Sequence, residues 1–323
     1  MESRRVVQLK VFYWYTEEVE GNTVIHVGGR TAENKTVHAL INNFTCGVNV
    51  ELPKRIAWDK QKATVLFKYL KDSMGTQGPI GDFKLFKKSR LHYLEEIYTI
   101  FLKFRSEKAA KTLSYRCSNA RGFFVPRLAQ FWADDFKVHE ANIDPILKLS
   151  AAKNIELANW IEIKETIILD DDGEEVSIED RKFTTADIDM NVDCDDVKRI
   201  QPPKGVYVAP TYCSFDIECN SNNHNSKMPD PTIPENVVMQ ISMIFGTLYD
   251  PKRNHILITL GQPRKKRIKT CDELVVFNSE TELLLGFSKL IKRYDPDLFF
   301  HYNGLKFDWD YMIKRTELLG IFG

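Results

Sequence analysis

The stretch that most constrains this chain is Cys213-Ser214-Phe215-Asp216-Ile217-Glu218-Cys219, where apolar and polar side chains alternate without a break. Side chains two apart on a β-strand share a face. Cys213, Phe215, Ile217 and Cys219 therefore form a burying face, and Ser214, Asp216 and Glu218 form the opposite one. Two carboxylates side by side on a rigid strand suit a hard divalent cation. Such an ion takes oxygen ligands, commonly one or two protein carboxylates plus substrate phosphate. The same spacing recurs at Asp172-Gly173-Glu174, inside an acidic run with a turn glycine and no apolar alternation. That segment reads as a solvated loop.

A second element completes the pattern. Leu298-Phe299-Phe300-His301-Tyr302 is a short apolar and aromatic run of the kind that forms a buried strand. Asn303-Gly304 then signals a turn, and Asp308 stands where a helix N-cap would accept a backbone N–H. Trp309, Met312, Ile313, Thr316 and Leu319 follow at helical spacing, with Gly320 suited to the helix end. On these residues alone Asp308 is either a cap or a third carboxylate of the site. His301 and Trp309 read as core packing.

These motifs resemble the proofreading exonuclease of family B DNA polymerases. Asp216 and Glu218 match that family's first exonuclease motif, and Asn303, Phe307 and Asp308 match its second. Between them, Val237-Val238-Met239-Gln240-Ile241-Ser242 is similar to the family's second exonuclease strand. Upstream, the segments 138–144 and 159–163 resemble the region before the exonuclease in polymerase delta. The opening, with Leu9 to Tyr15 and Ile41 to Thr45, is similar to polymerases of large nucleocytoplasmic DNA viruses.

The resemblance implies a mixed α/β chain, with a β-rich amino-terminal domain at 1–204 followed by a ribonuclease H-like 3′–5′ exonuclease domain at 205–323. It implies two Mg²⁺ or Mn²⁺ ions held by Asp216, Glu218 and Asp308, hydrolysing a phosphodiester by in-line displacement. Asn303 and Phe307 would position the terminal nucleotides. The family's third motif, Tyr-x-x-x-Asp on a helix, is not met before Gly323, nor are the polymerase carboxylates. The expectation is therefore the amino-terminal part of a replicative polymerase, with the reading frame continuing and this part alone hydrolysing DNA weakly if at all. Implied partners are a DNA primer-template and its single-stranded 3′ end, and a sliding clamp and other replication proteins through the rest of the parent enzyme. The implied location is intracellular, in the host nucleus or at a cytoplasmic viral replication site. A standalone nuclease would need a further carboxylate from elsewhere in the chain, and a non-catalytic DNA- or partner-binding module would need none.

Composition bounds these readings. At 323 residues the chain should form about two domains. No apolar run approaches the ~18 residues of a membrane span, so no membrane partner is expected. The six cysteines form no Cys-x-x-Cys pair, which argues for reduced thiols over a zinc site or disulfide framework. Net charge is zero but unevenly spread. Residues 84–121 hold ten basic against three acidic side chains, and 165–196 hold thirteen acidic against two basic. The first stretch suits either phosphate contact or a solvated face. The run Arg264-Lys265-Lys266-Arg267-Ile268-Lys269 likewise suits DNA, a nuclear localisation signal or a solvated loop tip.

Along the chain, residues 6–51 alternate between turn signals at Glu20-Gly21-Asn22 and Gly28-Gly29, and predict antiparallel strands. Helices are predicted at 64–73, at 92–111, from Pro126 onward, at 144–150 and at 281–293. Strands are predicted around Trp160 and at 207–217, 237–249 and 255–260, with a linker at Pro202-Pro203-Lys204-Gly205.

Overall fold

The computed structural model of the chain describes residues 4–89, 96–119, 121–133, 135–167, 182–221, 228–263 and 271–321. The acidic pair Asp172 and Glu174, and the basic run 264–269, lie outside them. The chain forms two compact units, Met1–Val208 and Ala209–Gly323.

The first unit opens with β1 (Val6–Val19), β2 (Asn22–Arg30), β3 (Thr36–Asn42) and β4 (Cys46–Glu51). Then come α1 (Lys60–Met74), β5 (Ile80–Ser89), β6 (Glu96–Phe104) and α2 (Glu107–Cys117). The unit ends with β7 (Phe123–Val125), β8 (Ala129–Phe131), β9 (Lys137–His139), α3 (Pro145–Lys153), β10 (Trp160–Glu165) and β11 (Ile188–Arg199). Strands β1, β10, β11, β3 and β2 close into a barrel, and β5, β6, β4 and β9 form a separate sheet. Leu9, Ile25, Ile41, Ile161 and Val192 are fully buried in one core that continues under α1 and α2 through Leu66 and Leu113. Local chemistry starts each helix: Asp59, Ser106 and Asp144 accept the backbone N–H of Lys62, Ala109 and Ile146 at 2.8, 3.1 and 2.7 Å.

Three expectations fail here, each for a physical reason. Gly28-Gly29 is no turn: both residues lie in β2, opposite a bulge between Val11 and Tyr13 of β1. Glycine is needed there because a Cβ on Gly29 would sit 1.9 Å from the Lys10 carbonyl oxygen. The described part of the helix predicted at 92–111 is strand β6 followed by the start of α2. Ile100, Leu102 and Phe104 bury at a period of two, and a run rich in β-branched and aromatic residues settles the ambiguity of short apolar segments toward strand. Pro126 starts no helix: it sits in the turn of the β7–β8 hairpin, with Arg127 at a φ of +67° and the Leu128 N–H donating to the Val125 carbonyl at 3.1 Å. Proline at the second position and a left-handed residue at the third describe a type II turn.

The second unit comprises β12 (Thr211–Cys219), β13 (Val238–Thr247), β14 (Arg253–Leu260), β15 (Glu273–Phe277), α4 (Glu280–Tyr294), β16 (Leu298–Phe300) and α5 (Asp308–Leu318). Its sheet runs β15-β14-β13-β12-β16, with β12 antiparallel to β13 and parallel to the short edge strand β16. Cys213, Phe215 and Ile217 of β12 bury with Leu283 and Phe287 of α4 and Tyr311 and Met312 of α5. The helices thus cover one face of the sheet. Among the described residues no helix is long and apolar enough to cross a membrane.

Candidate active site

Strand β12 sorts its side chains by alternation. Cys213, Phe215 and Ile217 are buried while Asp216 and Glu218 are exposed on the opposite face. The strand is held in register by β13, where Asp216 faces Ser242 and Glu218 faces Gln240. On its other side β16 pairs only with Tyr212 to Ser214. The β12 backbone beyond Ser214 is therefore left for another partner.

That partner is Asp308. Its carboxylate takes the backbone N–H of Ile217 as well as its own, and the charge of Asp216 is close enough to act on it. The residue is only 2 % exposed, and its Oδ2 is buried without a hydrogen-bond partner. Burial first, and then the Asp216 charge, raise the Asp308 carboxyl above its ordinary value. The two N–H groups and His301 pull the other way. The capping expectation is corrected here. Asp308 is the first residue of α5, Phe307 occupies the cap position, and no side chain caps the helix. The carboxylate is shared between its own backbone N–H and that of Ile217 on β12, and does not cap the helix.

The loop that delivers Asp308 is built from backbone bonds. Asn303 sits at a φ of +58°, and its carbonyl accepts the N–H of Lys306 and Phe307, each at 3.0 Å. The Gly304 N–H donates to His301 Nδ1 at 3.0 Å, and a Cβ on Gly304 would meet that imidazole at 2.2 Å. The Asn303 side chain is exposed, while Phe307 is half-buried with its ring 5.4 Å from that of Tyr311. Trp309 packs edge-on to Phe215, Phe287 and Phe299, with ring centroids 4.9, 5.9 and 5.4 Å away.

The buried face of α5 differs from the expected one. Asp308, Tyr311, Met312 and Arg315 face inward, while Ile313 is 42 % exposed. Arg315 is what sequence reasoning missed. Its guanidinium donates to Glu280 Oε1 and Oε2 at 2.9 and 2.5 Å. It also donates to the carbonyls of Pro231, Ile233 and Pro234 at 3.0, 2.8 and 3.1 Å. Glu280 in turn accepts the Val238 N–H at 2.8 Å, and the Tyr311 hydroxyl donates to the Asn236 carbonyl at 2.7 Å. The entry to β13, the start of α4 and α5 are thereby tied together. A seven-residue interval from Asp308 puts Arg315 on the same helix face, which is the only trace the sequence carries. Burial pushes the Cys219 thiol up to about 12 and raises the Tyr311 phenol.

The structure therefore brings Asp216 and Asp308 together, with Glu218 on the same strand face. Among the described residues no three His, Cys, Asp or Glu side chains gather closely enough to hold a metal ion. The donor set still fits a hard cation. An oxygen buried without a donor, beside a second carboxylate, is a place where positive charge would relieve both desolvation and repulsion.

A model of the DNA polymerase family B exonuclease domain matches residues 136–323. DNA polymerase 037L of Invertebrate iridescent virus 6 is 30 % identical over 91 % of this chain and 24 % of its own length. DNA polymerase 120R of Invertebrate iridescent virus 3 is 29 % identical over 96 % of the chain and 28 % of its own length. The DNA polymerase catalytic subunit of varicella-zoster virus (strain Dumas) is 27 % identical over 63 % of the chain and 18 % of its own length. The chain thus spans about a quarter or less of these relatives. Among solved structures, the family B DNA polymerase of Pyrobaculum calidifontis shares the fold. Its TM-score is 0.59 at 16 % identity, covering 98 % of this chain and 33 % of that one.

Proposed function

The chain belongs to DNA polymerase family B, and we propose that its second unit supplies the metal-holding carboxylates of a 3′–5′ proofreading exonuclease within a longer replicative polymerase. On this reading residues 1–204 are the amino-terminal domain and 205–323 belong to the exonuclease domain. The parent acts on a DNA primer-template, edits its single-stranded 3′ end, and works inside the host cell alongside a sliding clamp and other replication proteins. The observation that carries the reading is the buried Asp308 Oδ2, without a donor and beside Asp216.

Asp216, Glu218 and Asp308 would hold Mg²⁺ or Mn²⁺. When bound, such ions lower the pKa of a water and stabilise the leaving 3′ oxygen. The remaining roles belong to the chain. Ile217 fixes one Asp308 oxygen through its N–H and leaves Oδ2 to face the site. The exposed Asn303 amide offers hydrogen bonds to a terminal nucleotide, and the free part of the Phe307 ring offers a packing surface. Burial of Asp308 keeps water from satisfying the carboxylate that the cation is to neutralise.

The test uses the full-length polymerase, with a primer carrying a mismatched 3′ end. Asp216→Ala or Asp308→Ala should abolish excision and leave primer extension largely intact. Excision unchanged in both variants would sink the reading. The lack of a three-ligand group among the described residues favours one other reading, a non-catalytic DNA- or partner-binding module. Metal-independent DNA binding with no excision by the full-length protein would select it.

A further inference from the structure

Ser242 lies directly opposite Asp216 in the β12–β13 register, so the two side chains share the sheet face that the helices leave open. Its Oγ is 2.9 Å from Nε2 of His255, which reaches the same face from β14. The His255 backbone is pinned by Asp272. The His255 N–H donates to Asp272 Oδ2 and its carbonyl accepts the Asp272 N–H, each at 2.8 Å. Three neighbouring strands thus set out a polar row, with Asp216 on β12, Ser242 on β13 and His255 on β14. A serine in mid-strand adds little to the sheet, where a β-branched or aromatic side chain would pack better. Facing Cβ atoms on paired strands are about 4.5–5.5 Å apart. One side-chain rotation therefore brings the Ser242 hydroxyl and an Asp216 oxygen within hydrogen-bonding reach.

The direction of the Ser242–His255 bond decides what the pair can do. A hydroxyl has one proton to give and two lone pairs with which to accept. Were Ser242 to give its proton to His255, it would turn lone pairs toward the carboxylate. A Ser242 that accepts from His255 keeps its own proton for Asp216, and a chain of bonds running one way strengthens each member. We propose that Ser242 and His255 are positioning residues for Asp216. His255 Nε2–H donates to Ser242 Oγ, the Ser242 O–H donates to one Asp216 oxygen, and the other oxygen is thereby aimed at the cation. The inference rests on the exonuclease reading and adds to it the groups that orient its first carboxylate. Asp216 needs such a donor more than Asp308 does. Asp308 is buried and held by two backbone N–H groups, whereas Asp216 is exposed. A carboxylate already oriented loses less freedom when the ion arrives.

The test titrates the chain with Mn²⁺. Removing a group that orients a metal ligand costs about 10–100-fold in affinity, so Ser242→Ala and His255→Ala should each weaken the site by roughly 10-fold or more. Ser242→Thr keeps the hydroxyl and His255→Gln keeps a donor, so both should bind Mn²⁺ as the parent does. In the metal-free chain, long-range ¹H–¹⁵N NMR should find a proton on His255 Nε2, which a role in packing alone would not require. Ser242→Ala should keep the parent's denaturation midpoint. Either alanine variant binding Mn²⁺ as tightly as the parent overturns the proposal, as does Ser242→Thr binding as weakly as Ser242→Ala. A His255 Nε2 without its proton overturns it too. So does a lowered midpoint that accompanies the loss of affinity in Ser242→Ala, because the hydroxyl would then be serving the fold. An absent Mn²⁺ site in the parent sinks the exonuclease reading beneath it, whereas an intact site indifferent to Ser242 and His255 sinks the positioning role alone.

Discussion

Replacing Arg315 by methionine should cost the second unit most of its stability. All five guanidinium N–H groups are used: two on Glu280 and three on the carbonyls of Pro231, Ile233 and Pro234. Arg315 is 1 % exposed and Glu280 is 7 % exposed. Methionine retains much of the apolar stem but leaves the Glu280 charge buried and three carbonyls without donors. Removing one partner of a buried pair costs about 3–5 kcal/mol, and an unmet buried polar group about 1–3 kcal/mol more where water cannot reach it. A total of about 4–6 kcal/mol allows for partial hydration of the carbonyls, against about 5–15 kcal/mol for a typical domain. Amide hydrogen exchange resolved to residues after 208 follows this unit under urea. The double variant Arg315→Met/Glu280→Leu should recover much of the loss, because no stranded charge remains. Since α5 also begins with Asp308, Arg315→Met should weaken Mn²⁺ binding while the double variant regains part of it. A single variant costing under about 1 kcal/mol would refute the assignment of this pair as the clamp of α5.

Asp216→Ala should weaken a Mn²⁺ site detectable by titration of the chain, and equal loss from changes at Asp172 and Glu174 would show diffuse association instead. Gly29→Ala should destabilise the barrel by about 1–3 kcal/mol or more, and Gly28→Ala by less. The added Cβ meets the Lys10 backbone in the first case and only the movable Tyr13 ring in the second, and chemical denaturation gives the order. The first unit should lose stability in mild acid. His26 and His38 are buried, with His26 Nδ1 and His38 Nε2 3.1 Å apart, Tyr13 Oη 2.8 Å from His38 Nδ1, and Glu17 3.3 Å from His26. Burial lowers both imidazoles, His26 lowers His38 further, and Glu17 and Asp189 oppose. The unfolded chain then takes up protons first, so the contribution is complete above about pH 6.5 and is lost as pH falls toward the folded values. Denaturation midpoints at about pH 7.5 and 5.5 should differ by less in His26→Gln/His38→Gln than in the parent; an equal drop would refute this.

Taken by itself, the sequence determined whatever depends on near neighbours. Alternation in 213–219 assigned each β12 side chain to its face, because a strand's period of two is a local property. The turn at Glu20-Gly21 and the left-handed Gly320 after α5 were legible for the same reason. Motif order pointed to the exonuclease domain whose family model the chain matches. Only tertiary structure decided the rest, where the deciding atom comes from far along the chain. Gly28 and Gly29 look like a turn until β1 lays a bulge across them. Asp308 looks like a cap until the unpaired end of β12 offers the Ile217 N–H. Arg315 looks like a solvated helix cation until Glu280 arrives from thirty-five residues away. A buried charge is tolerable only when its partners are in place, and local pattern cannot say whether they are.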